Sequence, residues 1–251
     1  MYKLKRDAAG KIMKHKARLV AKGFVQQPWI DFDEVFAPDR RLDSVRLLLA
    51  VTAQFKLEVH HMDVKIAFLN GELGEEVYVY QPPGFVDGAN SSKVLRLHKA
   101  LYGLRQAPRA WNTKLDAVLV SLGFTRSESE HTVCVRGEGD EKLLLRVYVD
   151  DLIITGASLA AIHAFKEEMF QHFKTSDLGL LGLYLGIEVS QQPGGITLKQ
   201  SSFATKLLEK ACMADCNRTN VPMVPRLKLS KESKNPAINT TLYRSIVGSL
   251  R

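Results

Sequence analysis

Much that would settle the class of this 251-residue chain by itself is missing from it. No run of about 18 apolar residues occurs, so no segment reads as a membrane-spanning helix. No apolar stretch follows the charges of Met1 to Arg6, so the start does not read as a secretory signal. Low-complexity tracts, internal repeats and a disordered linker are absent too. Cysteine is scarce at three residues, an odd number that points to a reducing compartment rather than a disulfide framework. Cys212 and Cys216 stand close in sequence, but no second pair or nearby histidine completes a zinc set. Cys134 sits in an apolar, strand-like stretch and reads as a small core residue.

What is there is an ordinary globular composition, 45% hydrophobic and 25% charged, with chain enough for one large domain or two small ones. The net charge of +8 is unevenly placed: residues 1–30 carry +7, residues 31–199 carry −5 and residues 200–251 carry +6. An acidic centre between basic arms suits a polyanion gripped at its ends around a cation-loaded site; it also suits plain solubilising charge.

Periodicity predicts a strand or hairpin over 11–25, with Lys14, Lys16 and Arg18 on one face. It predicts a helix over 43–54, capped by Asp43 or Ser44, with Val45, Leu48, Leu49 and Thr52 inward. A strand over 57–64 carries Asp63, and Gln81 to Gly84 form a loop. A helix over 109–122 buries Leu115, Val118, Leu119 and Leu122, with Gly123 just past its end. Gly156 and Ser158 open a helix with Leu159, Ile162, Phe165, Met169 and Phe173 inward, and a hairpin turns around Pro193-Gly194-Gly195. Helical patterns over 202–213 and roughly 240–250 follow. The order suggests an antiparallel sheet backed by helices, an α+β architecture.

The segment Tyr148-Val149-Asp150-Asp151 lies between the apolar runs Leu143 to Val147 and Leu152 to Thr155. Asp-Asp is a poor two-residue hairpin loop, because such loops need positive backbone φ and recruit Gly or Asn. Strain and mutual repulsion make sense if a divalent cation sits on the pair. Asp63, late in an apolar strand where Asp is disfavoured, is the best third ligand. Oxygen-only ligands fit Mg²⁺, and two such ions about 3.5–4 Å apart would serve in-line phosphoryl transfer.

From Lys16 onward the chain resembles the reverse transcriptase domain of copia-type retrotransposons. The resemblance rests on seven ordered blocks: Lys16 to Phe24, Asp31 to Pro38, Met62 to Gly71, Gln81 to Phe85, Lys99 to Trp111, Tyr148 to Asp151 and Leu185 to Val189. It implies a right-hand polymerase with a palm sheet, fingers and a partial thumb, and an RNA-directed DNA polymerase activity using two Mg²⁺, with Mn²⁺ as a substitute. Catalysis would fall to Asp63, Asp150 and Asp151, on an RNA or DNA template-primer with deoxynucleoside triphosphates. Phe68 falls at the aromatic steric gate, or is a core residue. Lys16 and Arg18 look like fingers cations for the triphosphate, or are an ordinary basic strand face. Tyr102, Gly103 and Gln106 fall in the block lining the nucleotide pocket, whereas Trp111 reads as helix packing. Tyr148, Leu185 and Gly186 fall where the family contacts nucleic acid, Gly186 allowing close backbone approach. The implied layout is mainly fingers over 1–56, palm over 57–80, a fingers/palm junction over 81–108, palm over 109–199 and the start of the thumb over 200–251.

Four departures stand out: the charge pair Asp39-Arg40 in an apolar spot, Trp29 for a turn Gly, His61 for Gln, and Leu183-Tyr184 for Tyr-Phe. None removes a metal ligand. The chain reads as a domain truncated at both ends, a fragment of a Pol polyprotein without its integrase or RNase H. Family analogy places it in cytoplasmic particles. The rival reading is a catalytically inactive nucleic-acid-binding remnant of a decayed Pol gene.

Overall fold

The computed structural model describes residues 1–6, 11–37, 42–221, 223, 226 and 238–250. These form two compact units, Met1–Leu181 with Gln191–Ile196, and Gly182–Ser190 with Thr197–Arg251. The first begins with an antiparallel ribbon of β1 (Tyr2–Arg6) and β2 (Ile12–Ala17), where Lys16 pairs with Lys3 and Lys14 with Lys5. Helix α1 (Leu42–Gln54) buries Val45, Leu48, Leu49 and Thr52, the stripe its periodicity predicts. Its start differs from the expectation. Asp43 lies in the first turn, favourable to the helix dipole, and the Ser44 hydroxyl donates to Glu130, so both sit inside the helix rather than capping it. The Asp39-Arg40 pair lies outside the described residues.

Strand β3 (Val59–Val64) enters the main sheet, while β4 (Glu72–Tyr80) and β5 (Val94–Lys99) pair as a separate ribbon. Helix α2 (Ala107–Ser121) starts earlier than its apolar stripe suggests, because Pro108 is well suited to a first turn. Then come β6 (Thr125–Arg126), β7 (Val133–Arg136), β8 (Leu143–Tyr148) and β9 (Asp151–Gly156). Ser158 caps helix α3 (Leu159–His172) by accepting a hydrogen bond from the Ala161 amide at 3.1 Å, and β10 (Thr175–Leu180) follows. The sheet is antiparallel in the order β10-β3-β9-β8-β7-β6. Met62, Val64, Leu143, Leu145, Leu152 and Ile154 from the strands meet Trp111, Leu115 and Leu119 of α2 and Ile162, Phe165 and Met169 of α3. Each such side chain contributes about 1.5–3 kcal/mol by leaving water. Cys134 joins this core as expected; Leu159, expected inward, is instead exposed in the first turn of α3.

Strand β11 (Leu183–Tyr184) belongs to the second unit; β12 (Ile187–Gln192) and β13 (Gly195–Lys199) each run from one unit into the other around Pro193-Gly194. Tyr184 pairs with Ile187, leaving Leu185 at φ +50° and Gly186 at φ +84°, the two positive values of a tight hairpin turn. Helices α4 (Ser201–Lys210) and α5 (Thr240–Ser249) are tied by a Lys210–Ser245 hydrogen bond, and Asn239 caps α5. Cys212 and Cys216 are exposed free thiols.

Candidate active site

Register decides which carboxylates meet. In the antiparallel pair β3/β9, Asp63 stands directly opposite Asp151. Side chains so opposed have Cβ atoms about 4.5–5.5 Å apart. Tyr148 pairs with Asp151 across the β8/β9 hairpin, so the two-residue loop is Val149-Asp150, and Asp151 already belongs to β9. This corrects the sequence expectation of an Asp-Asp loop. The strain falls on Val149, at φ +52°, where a hairpin turn favours Gly. A β-branched residue there costs about 1–3 kcal/mol and persists only if its surroundings impose it. Two hydrogen bonds do so: the Trp111 indole Nε1 donates to the Val149 carbonyl at 2.6 Å, and the Val64 amide donates to the Asp150 carbonyl at 2.7 Å.

The three carboxylates differ in their partners. Lys65 Nζ is ion-paired with Asp63, and His61 Nε2 lies 2.9 Å from Asp151 Oδ1. Burial pushes the Asp150 carboxyl above its usual range, and the negative charges of Asp151 and Asp63 push it further. With two carboxylates turned to Lys65 and His61, no three His, Cys, Asp or Glu side chains converge to hold a metal among the described residues. The donor chemistry still fits a hard divalent cation: three carboxylates, oxygen ligands only, on adjacent backbone.

Beside Asp63 and Asp150 opens a cleft of about 580 Å³ whose wall carries Lys14, Lys16, Arg18, Lys65 and Tyr102. The Arg18 guanidinium lies 5.1 Å from the centre of the Tyr102 ring, which packs on Phe68 at 5.0 Å. Burial raises the Tyr102 phenol above its usual value; Asp150 and Asp63 add to this and Arg18 opposes it.

The model of the family described as reverse transcriptase (RNA-dependent DNA polymerase) matches residues 1–225. The chain belongs to the reverse transcriptase family. It is 39% identical, over 98% of its length, to the retrovirus-related Pol polyprotein from transposon RE1 of Arabidopsis thaliana, and covers 17% of that protein. Against the Pol polyprotein from transposon TNT 1-94 of Nicotiana tabacum it is 36% identical over its whole length and covers 20% of that protein. These are copia-type Pol polyproteins, and this reverse transcriptase domain spans a fifth or less of their length.

Within the reverse transcriptase domain, Lys16, Arg18, Tyr102, Asp63 and Asp150 line one cleft, while Asp151 and Phe68 adjoin it through Asp63 and Tyr102. Phe68 also packs against two core clusters. Gly103 and Gln106 do not line it. Gly103, at φ +94°, lies against the Ala21 backbone, where a Cβ would come within 2.2 Å of the carbonyl oxygen. Gln106 is buried: its Nε2 donates to the Asp31 carbonyl at 3.0 Å and its Oε1 accepts from Gln26 at 3.1 Å. Both ends are used within the protein. Tyr148 closes the β8/β9 hairpin opposite Asp151. Leu185 and Gly186 lie in the second unit, where the turn's positive φ asks for glycine and a Cβ on Gly186 would meet no protein atom within 4 Å. Trp29, which replaces a Gly, takes φ +64° and so stands in the conformation that favours Gly. Lys65 and His61 were not singled out as site residues by the sequence. The spacing of two between His61 and Asp63 within β3 is the signal that could have found His61; Lys65 lies in the turn just past the strand.

Proposed function

We propose that the chain is an RNA-directed DNA polymerase domain that extends a primer 3′-hydroxyl with deoxynucleoside triphosphates on an RNA or DNA template. The observation that carries this is the pairing of Asp63 with Asp151, with Asp150 in the strained turn beside them, at the edge of a cation-walled cleft. Lys16 and Arg18 are suited to bind the triphosphate, Arg18 by two-pronged contact. Phe68 and Tyr102 form an aromatic floor suited to orient the sugar and disfavour a 2′-hydroxyl. Asp63, Asp150 and Asp151 would hold the two Mg²⁺ ions, with Lys65 and His61 released from the carboxylates. Bound there, the ions supply charge stabilisation for the attacking and leaving oxygens.

The layout that accompanies this function is a right hand: fingers mainly over 1–56, palm over 57–80 and 109–199, the junction over 81–108, and thumb from 200. Tyr148, Leu185 and Gly186 are assigned to the template-primer. Primer extension by the purified chain with Mg²⁺ or Mn²⁺ tests the reading. Extension by the wild-type chain and none by Asp150→Asn is the expected result. Salt-sensitive primer-template binding without extension would overturn the enzymatic reading and leave the binding remnant.

A further inference from the structure

Trp111 is assigned no chemistry by its sequence context, yet its surroundings are unusual for a core residue. It is 1% exposed, and its ring meets Phe173 edge-on at 5.1 Å, which fixes its rotation. A buried indole N–H must find an acceptor, and many would serve. The acceptor here is the carbonyl of Val149, the residue with positive φ in the β8/β9 hairpin, at 2.6 Å. The same residue's backbone is crowded on another side. A Cβ on Gly71 would come within 2.6 Å of the Trp111 amide nitrogen, so the segment that leads away from Asp63 is also seated on this point of α2. Trp111 thus joins the core cluster of Met62 and Val64, which flank Asp63 in β3, and reaches the turn that bears Asp150 through its indole.

We propose that Trp111 is a positioning residue for the carboxylate turn: its indole holds Val149 in the left-handed conformation, and that conformation aims Asp150. Free of the indole, Val149 would relax toward ordinary β geometry and rotate the Asp150 peptide. The proposal rests on the polymerase reading for its effect on turnover, but not for its effect on the turn.

Trp111→Phe keeps an aromatic ring against Phe173 and removes the donor. It should lower the kcat of primer extension about 10- to 100-fold, the scale of misplacing a reacting group by about 1 Å, with KM for the nucleotide within about twofold of wild type. Adding Val149→Gly should recover about fivefold or more of the lost kcat, because glycine adopts positive φ without an outside clamp. A measurement on the metal-free chain runs in parallel. The Val64 amide, bonded to the Asp150 carbonyl at 2.7 Å, should exchange with solvent faster in Trp111→Phe and slow again in the double variant. In the wild-type chain the Trp111 indole proton and the Val64 amide should exchange at rates within about threefold of each other, as one opening event, while the exposed Trp29 indole exchanges freely. A Trp111→Phe chain that melts lower but keeps wild-type kcat and Val64 exchange would overturn the proposal. So would independent exchange of the two protons in the wild type, which decides the matter even if the variant does not fold. If the wild-type chain extends no primer, the polymerase reading falls, and the exchange measurements alone judge the role of Trp111.

Discussion

Strand β3 contributes ionisable side chains to two clusters that differ in how charge is met. In one, Lys166 of α3 is 3% exposed and donates to both oxygens of Asp177, at 2.9 and 2.8 Å, while its Nζ lies 3.0 Å from His60 Nδ1. Glu58 reaches the other ring nitrogen of His60 at 3.1 Å. Burial alone would raise the Asp177 carboxyl, but the hydrogen bonds of Lys166 and of the Gly179 amide outweigh it and hold it below its usual value. Burial, with the Lys166 charge, pushes His60 below its usual value. In the other cluster, Asp63, Asp150 and Asp151 gather on β3, β9 and the turn between β8 and β9, and burial with the neighbouring carboxylates pushes Asp150 up although Arg18 opposes it from the cleft wall. Burial beside a matched partner makes a charge structural. Burial beside like charges stores repulsion, as expected of a site kept for function at a cost in stability.

The sharpest way to break this contrast is to neutralise one carboxylate in each cluster. Asp63→Asn should cut primer extension at least about 100-fold, the scale of losing one charge-stabilising group in an active site. Asp177→Asn should leave the rate per folded molecule unchanged but destabilise the chain by about 2–3 kcal/mol in urea unfolding, because buried Lys166 loses its counter-charge. Asp150→Asn should do the opposite to stability, raising it by about 0.5–1 kcal/mol while extension is lost. Equal destabilisation by both asparagines would dissolve the distinction.

The smallest effect is on pH dependence. His60 takes up a proton less readily in the folded chain than in the unfolded one, so stability falls as pH drops below about 6.5. Asp177, depressed when folded, adds a loss as pH falls below about 4, whereas Asp150, raised when folded, contributes a gain as pH falls toward that range. The urea midpoint should therefore be lower at about pH 5 than at about pH 7. A His60→Asn chain should show a flatter profile between those values.

Sequence and structure agree where a signal is local. The stripe of α1 and the Ser158 cap of α3 follow from helical period and capping chemistry. The ribbon β4/β5 and the edge strand β10 were not foreseen; β10 is broken by a register shift and Gly179 at φ +73°, and much of it is exposed, so it shows no alternation. The turn was misplaced by one residue because Val149 carries no turn signal, and its conformation is imposed from α2. The three aspartates stood out because carboxylates within or between apolar strands are anomalous, and the pairing of Asp63 with Asp151 is a matter of register that the sequence left open. Gln106 was placed in a pocket lining by its family block; its burial was not legible, because its amide bonds reach residues 75 and 80 positions away. His61 shares a strand face with Asp63, whereas Lys65 lies past the end of β3 and meets Asp63 through a side-chain orientation that no sequence pattern encodes.

The pairing of β3 with β9 also constrains how the chain is made. His61 and Asp151 are 90 residues apart. A ribosome adding about 5–20 residues per second needs roughly 5–20 seconds to deliver the partner strand. Throughout that interval β3 waits with Val59, Met62 and Val64, all nearly inaccessible in the finished fold, bare to the surroundings. The ribbon β1/β2, whose partners are neighbours in the chain, can close at once. Synthesis in the presence of a holdase chaperone should therefore raise the yield of soluble chain most when translation is slowed between β3 and β9.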